Sequence, residues 1–181
     1  MNILQQFSNS QIINYTIIPV EMKTAIVYVS NHGATERVAN QLANLLAVKP
    51  ADVINLRKNK SFNPEGYERV LIGGSIHVGQ IQKPMKQFCN KYTDQLLTTR
   101  LGLFVCCMYT DDQALQQFEL NFPELLRKHS TSNKIIGGAF DFEKMNWFEK
   151  IIVRKVAGVN QTTSNLDESK ILEMAEEMNR N

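Results

Sequence analysis

Apolar positions follow two alternating patterns along the chain. Five short runs rich in β-branched residues predict buried strands, because a strand covered on both faces is apolar at nearly every position. Elsewhere apolar residues recur at steps of three or four, which predicts helices with one buried face. The predicted strands are 23–29, 52–56, 69–75, 101–109 and 134–140, and the predicted helices are 35–48, 85–97, 112–128, 147–157 and 167–178.

This alternation predicts an α/β fold, a doubly wound parallel sheet of five strands with helices on both faces. Ligands of such folds lie beyond the carboxyl ends of the strands, near the point where the strand order reverses. The loops after the first, third and fourth strands are therefore the candidates for a functional site. Within the helix 112–128, Pro123 predicts a kink or a break.

One domain accounts for a chain of 181 residues. Residues 1–21 contain no Lys or Arg and show neither the helical nor the strand period, and Met22 directly precedes the first predicted strand. We expect an N-terminal extension over 1–21, with Met22 as a candidate start, and one domain over 22–181. An arm that packs on the surface is the alternative for 1–21.

Composition narrows the class of protein. Hydrophobic residues make up 43% and charged residues 21%, which is ordinary for a soluble globular protein, and the net charge of +2 is too small to indicate nucleic-acid binding. No apolar run approaches the roughly 20 residues of a membrane-spanning helix. Three cysteines, two of them adjacent at Cys106 and Cys107, are typical of a reducing compartment, so we expect a cytoplasmic protein. A buried strand end explains the adjacent pair better than a redox role.

The loop after the first strand, residues 30–35, reads Ser-Asn-His-Gly-Ala-Thr. Hydroxyl residues and a glycine at a helix N terminus present backbone N–H groups and the positive end of the helix dipole, a combination that binds phosphate. The loop has no Lys or Arg, the chain has no Gly-Lys pair, and Gly33 stands alone, so the ATP and NAD motifs are both missing. A plain helix cap by Ser30 and Thr35 is the alternative.

The other two loops offer aromatic and imidazole side chains. Residues 73–79 read Gly-Gly-Ser-Ile-His-Val-Gly, in which Gly79 permits a positive φ or a close approach to a ligand. His77 is a candidate ligand contact, with an exposed loop histidine as the alternative. In the loop after the fourth strand, Tyr109 is a candidate for stacking on a ring, or a rim tyrosine without a ligand.

The loops after the first and third strands resemble motifs of the flavodoxin family. Residues 30–35, followed by Glu-Arg-Val-Ala, resemble the FMN-phosphate motif Ser/Thr-x-Thr-Gly-x-Thr, with His32 where threonine is usual. The loop after the third strand resembles the family's Gly-Ser-x-x-x-x-Gly flavin loop. The resemblance implies a flavodoxin-like fold with strand order 2-1-3-4-5 and FMN held by amides and hydroxyls, without a metal. The cofactor-binding residues that it implies are Ser30, Asn31, His32, Gly33, Ala34, Thr35, Ser75, Ile76, His77, Val78, Gly79, Tyr109, Thr110 and Asp111.

Residues 69–88 and 136–158 are similar to one flavodoxin-like branch, the menaquinone-dependent protoporphyrinogen IX dehydrogenases of bacterial haem synthesis. The resemblance implies an FMN-dependent oxidoreductase that passes electrons to a quinone. That branch has a longer and strongly basic segment between its fourth and fifth strands, where this chain has Asp111 and Asp112. The difference weighs against recognition of the porphyrin carboxylates. It does not affect the two flavin motifs, which are both present.

Alternatives remain for function and location. The helix 147–157 carries Lys150, Arg154 and Lys155 beside an apolar side, which is compatible with an anionic membrane surface and access to a quinone, or with a helix docked on the domain. Besides the oxidoreductase, we consider an electron carrier that docks to redox proteins, against which the charge of +2 weighs, and a flavin-free binding module. The expected partners are a small-molecule reductant or a redox protein, and a homo-oligomer stays open.

Overall fold

The computed structural model describes residues 22–140 and 163–180. Its helices and strands alternate through most of the described chain. In chain order they are β1 (Thr24–Val29), α1 (Ala34–Leu45), β2 (Ala51–Asn55), β3 (Arg69–His77), β4 (Gln80–Ile81), α2 (Lys83–Lys91), α3 (Thr93–Leu96), β5 (Arg100–Cys106), α4 (Asp111–Asn121), α5 (Glu124–His129), β6 (Ser132–Ile135), β7 (Ala139–Phe140), β8 (Thr163–Ser164) and α6 (Glu168–Asn179).

The main sheet has the order β2-β1-β3-β5-β6, and these five strands are parallel. The predicted order 2-1-3-4-5 is thereby confirmed. The short strand β4 pairs antiparallel with the end of β3 and forms a hairpin, while β7 and β8 form a separate antiparallel pair. Because β1, β3 and β5 lie side by side, the loops that follow them meet at one edge of the sheet.

Two apolar layers cover the sheet, one on each face, as the periodicity predicted. The layer formed with α1 and α6 includes Val38, Leu42, Met174 and Met178. The layer on the opposite face packs against α2 to α5 and includes Phe88, Leu96, Phe118 and Leu126. Strands β1, β3 and β5 contribute residues to both layers, which explains their nearly continuous apolar sequences.

Several element boundaries differ from prediction. The helix predicted over 85–97 is divided at Tyr92, where the Thr93 hydroxyl bonds the Cys89 carbonyl at 2.8 Å. Pro123 separates α4 from α5, as expected. The fifth predicted strand stops at Ile135, because Gly137 adopts a φ of 79° and turns the chain. The fourth predicted strand, 101–109, ends at Cys106.

Two predicted segments lie outside the described residues, the extension 1–21 and the helix 147–157. Within 22–140 and 163–180, the structure has no helix that is long and apolar enough to span a bilayer.

Close packing at Gly73 gives a stability test. A Cβ atom at this position would lie 2.0 Å from Cζ of the fully buried Phe104. We expect Gly73→Ala to lower the free energy of unfolding by about 2–3 kcal/mol, because an overpacked core must displace either the ring or a central strand. Urea denaturation measures the loss. In the double variant with Phe104→Leu we expect part of it to be recovered, since the two sites are in contact; an unchanged stability of Gly73→Ala alone would contradict this packing.

Candidate functional site

The loop between β1 and α1 is shaped by Gly33. Gly33 has a φ of 93° and is the N-cap of α1, and its N–H donates to Oγ of Ser30 at 2.9 Å. A left-handed conformation at this point suits glycine, since a side chain would be strained there. No side chain of the described residues caps the start of α1. The first amides of the helix therefore face the loop with the positive end of the helix dipole behind them.

A hydroxyl network ties this loop to the end of β3. Thr35 is fully buried, and its Oγ1 lies 3.2 Å from Oγ of Ser75. Gln82 completes the network, because its Nε2 donates to Oγ of Ser75 at 2.9 Å while its Oε1 accepts from the Ser75 N–H at 3.1 Å. Sequence analysis missed Gln82, whose only sequence signal is its position directly before α2.

A basic side chain borders the loop although the loop itself contains none. Arg57, from the segment that follows β2, donates from Nη1 to Oδ1 of Asn31. β2 is the neighbour of β1 in the sheet, so the segments after these two strands adjoin. Residues 30–35 contain no Lys or Arg, and the structure places Arg57 beside them. From the sequence, only the predicted pairing of the first two strands indicated that Arg57, which follows the second strand, would lie near this loop.

The second loop is a tight hairpin between β3 and β4. His77 pairs with Gln80, so Val78 and Gly79 form a two-residue turn, with φ values of 49° and 76°. Two positive φ values are the signature of the type I′ turn. The positive φ of Gly79 confirms the sequence expectation, whereas a β-branched residue such as Val78 is strained there, and its side chain is 89% exposed.

The hairpin is fastened from behind by one buried amide. Asn121, at the end of α4, accepts the Ile81 N–H at 2.8 Å and donates to the Gly79 carbonyl at 3.0 Å and the Gln117 carbonyl at 2.8 Å. Sequence analysis missed this residue, since an asparagine at the end of a helix pattern gives no signal of a tertiary role. Asn121 holds the hairpin in place against α4.

The three loops meet around a small cleft. The imidazoles of His32 and His77 approach with ring centroids 6.0 Å apart. The cleft has only about 40 Å³ of room for water. Its lining includes six of the predicted residues and four that sequence analysis missed: Ser30, His32, Ala34, Ser75, Ile76 and His77 in the first group, and Cys106, Met108, Gly138 and Ala139 in the second.

The remaining predicted residues lie around the cleft rather than on its walls. Gly33 and Thr35 shape the first loop from within, and Asn31 is exposed beside Arg57. Val78 and Gly79 form the tip of the hairpin. The others are exposed at the start of α4, where Asp111 has a φ of 51°: Tyr109, Thr110 and Asp111.

The cleft is free of carboxylates among its lining residues. Glu36, in the first turn of α1, accepts instead from the Tyr28 hydroxyl at 2.9 Å. Burial, together with the bond and charge of Glu36, raises the pKa of Tyr28 to about 12, so the phenol keeps its proton at neutral pH. The donor set of the first loop, which combines helix amides, hydroxyls and a nearby guanidinium, fits a phosphate monoester.

The adjacent cysteines are buried, as the sequence predicted. Burial raises the pKa of Cys106 and of Cys89 to about 12, and it also raises that of Cys107. The thiolate is the reactive form of cysteine. These thiols are therefore protonated packing groups at neutral pH. Among the described residues there is also no cluster of His, Cys, Asp and Glu that could hold a metal ion.

Comparison with known proteins identifies the class. The model of a family described as a flavodoxin domain matches residues 25–167, and the chain belongs to this family. The protoporphyrinogen IX dehydrogenase (quinone) of Escherichia coli strain K12 is 25% identical over 147 residues, covering 75% of this chain and 78% of that protein.

Two solved structures with TM-scores above 0.5 show the same fold. A flavodoxin from the domain Archaea is 14% identical with a TM-score of 0.51, covering 88% of this chain and 100% of that one. The rubredoxin oxygen:oxidoreductase of Desulfovibrio gigas is 14% identical with a TM-score of 0.55, over 87% of this chain but only 35% of that chain, so this chain spans about a third of its length. A Fusobacterium nucleatum flavodoxin bound to FMN is 12% identical, with a TM-score of 0.45 and coverage of 86% and 95%.

The role of Asn121 is testable by stability. We expect Asn121→Leu to lower the free energy of unfolding by about 2–4 kcal/mol, because the Ile81 N–H and the Gly79 carbonyl lose their partner in a buried place. Gln116→Leu, on an exposed position of the same helix, is the control and should change stability by less than about 0.5 kcal/mol. Chemical denaturation measures both, and equal effects of the two substitutions would contradict the fastening role.

Thiol reactivity tests the burial of the cysteines. At pH 8 the native protein should react with a disulfide reagent such as DTNB only slowly, because pKa values of about 12 leave almost no thiolate at Cys89 and Cys106. In guanidinium chloride all three cysteines should react at once. A thiol that reacts rapidly in the native state, located by mass spectrometry, would show that its surroundings are open to solvent.

Proposed function

We propose that the chain binds FMN and acts as an FMN-dependent oxidoreductase. The observation that carries the proposal is the first loop, which offers helix amides and hydroxyls to a phosphate and has no carboxylate in its cleft. Membership in the flavodoxin-domain family supports it.

In this proposal the described residues divide the work of binding. The amides at the start of α1 and the hydroxyls of Ser30 and Thr35 hold the phosphate. The hairpin at 76–79 and the segment at 108–111 would border the ring. FMN supplies the electron chemistry once bound.

The substrates proposed for the first test are protoporphyrinogen IX as electron donor and a quinone as acceptor. Similarity to the E. coli dehydrogenase over 75% of this chain supports them. The proposed location is the cytoplasm, and the segment 147–157, for which the sequence predicts a helix, is the proposed contact with a membrane surface and its quinone. The segment from Cys107 to α4 has Asp111 and Asp112, both exposed, and no Lys or Arg for the porphyrin carboxylates. Recognition of that substrate therefore depends on other parts of the chain.

A second candidate is an electron carrier that exchanges electrons with a redox protein. A specific observation favours it: a lysine-lined groove adjoins the loop beside Arg57, and lysines attract acidic partners. The groove therefore concentrates positive charge in one place, which the net charge of +2 for the whole chain does not reveal.

Titration with FMN is the direct test of the proposal. We expect FMN to bind with quenching of its fluorescence and to raise the melting temperature, since a ligand that binds only the native state stabilises it. Riboflavin, which lacks the phosphate, should bind more weakly. A colourless protein with no change in fluorescence or melting temperature on addition of FMN would refute flavin binding.

Thr35 offers a charge test of the phosphate position. We expect Thr35→Asp to weaken FMN binding by at least about tenfold relative to Thr35→Asn, because the two side chains have the same shape and only the carboxylate repels the phosphate. Comparing the two variants separates charge from any loss of stability at this buried position. Affinity for riboflavin should differ little between them, and equal FMN affinities of the two variants would contradict the phosphate position.

An anaerobic assay separates the two candidates. Protein loaded with FMN is mixed with protoporphyrinogen IX and menaquinone, and the growth of porphyrin fluorescence is followed. For the dehydrogenase we expect a rate well above that of free FMN at the same concentration. A rate equal to the free-FMN control excludes this substrate and favours the carrier.

A further inference from the structure

A groove lies beside the candidate site on the described surface. It has a volume of about 870 Å³ and lies between the segment after β2 and helix α2. Buried Phe88 and Tyr92 contribute its aromatic lining, with ring centroids 5.1 Å apart. Lys60, Lys83 and Lys91 also line it, without a carboxylate.

The charge around this groove is concentrated. The stretches 56–64 and 80–92 contain six Lys and Arg and no Asp or Glu, and all six are exposed. The rest of the chain then has 14 basic residues, the 20 of the whole less these six, against all 18 acidic ones. A net charge of +2 therefore conceals a basic face beside the groove, formed by these two stretches.

Local helix physics does not account for two of these six charges. Lys83 and Lys86 are both near the start of α2, whose first turn has no acidic residue. Cations at a helix N terminus oppose the helix dipole and cost stability. Residues that violate a local rule are commonly placed for function.

Both walls of the groove are hydrogen-bonded to the candidate site. Arg57, at the start of one wall, bonds Asn31 of the first loop. Gln82, directly before Lys83 of the other wall, bonds Ser75 at the end of β3. A molecule seated on the basic face is therefore next to the loops that border the cofactor.

We propose that this basic face, with the groove at its centre, is the docking surface for an acidic one-electron carrier protein. The inference rests on the proposed FMN binding and deepens the second candidate function. Arg57, Lys58 and Lys86 are exposed outside the lining of the groove, so the positive charge covers more surface than the groove itself. A surface of that extent favours a protein partner over one small molecule. Complementary charge is the usual means by which small, transient redox complexes form quickly.

The electron balance of the encounter is simple. A reduced iron–sulfur partner loses one electron in each encounter and is oxidised. Two encounters deliver two electrons to the bound flavin, and the accompanying protons come from water.

Binding of a plant-type [2Fe–2S] ferredoxin, an acidic probe, tests the proposal. Calorimetry measures its affinity for the protein with and without FMN, in low and in moderate salt. We expect measurable binding in low salt that weakens by about tenfold or more in 0.3 M salt, since exposed charges are then screened. The double variant Lys60→Gln/Lys83→Gln should weaken binding by about tenfold in low salt, and Lys49→Gln/Lys128→Gln, at the opposite edge of the sheet, by less than about twofold.

Each other outcome has a definite meaning. Equal losses in the two double variants, or no ferredoxin binding at all, would overturn the proposal. So would lysine-dependent binding of vesicles containing phosphatidylglycerol in place of ferredoxin, because the face would then meet a membrane. Ferredoxin binding by a protein that fails to bind FMN supports the docking surface while it refutes the proposed cofactor.

Discussion

Parallel pairing of β1, β3 and β5 is the constraint on which the rest of the molecule depends. Side-by-side parallel strands end at the same edge, so loops that are distant in the chain become neighbours. The contact between Thr35 and Ser75 joins two of these loops and exists only because of this register. Close approach of the strands and their covering layers in turn requires small residues such as Gly73, beneath Phe104.

The sequence predicted this architecture because its signals are local and repeated. Apolar runs and helical periods are present in every core element, and two layers of core residues follow directly from them. The boundaries that were wrong depend on single interactions, such as the Thr93 hydroxyl that interrupts a helix. Gly137 has a comparable effect, since its positive φ is invisible in a pattern of apolar letters.

The candidate site was predictable where residues are consecutive and obscure where they are not. Six predicted residues line the cleft because they belong to two continuous loops. Gln82, Arg57 and Asn121 come from other elements, and their roles depend on tertiary neighbours. Charge behaves in the same way, because a net value of +2 averages a basic face with an acidic remainder.

Asn121 gives the hairpin an unusual origin for its shape. Turns of this type ordinarily arise from their own residues, with Asn or Gly in both central positions, yet here a valine occupies the first. We therefore expect that an isolated peptide of residues 72–84 would not form this turn. The conformation at the edge of the cleft is thus imposed from α4, and a small shift of that helix would reach Gly79 and Ile81 first and His77 through its pairing with Gln80.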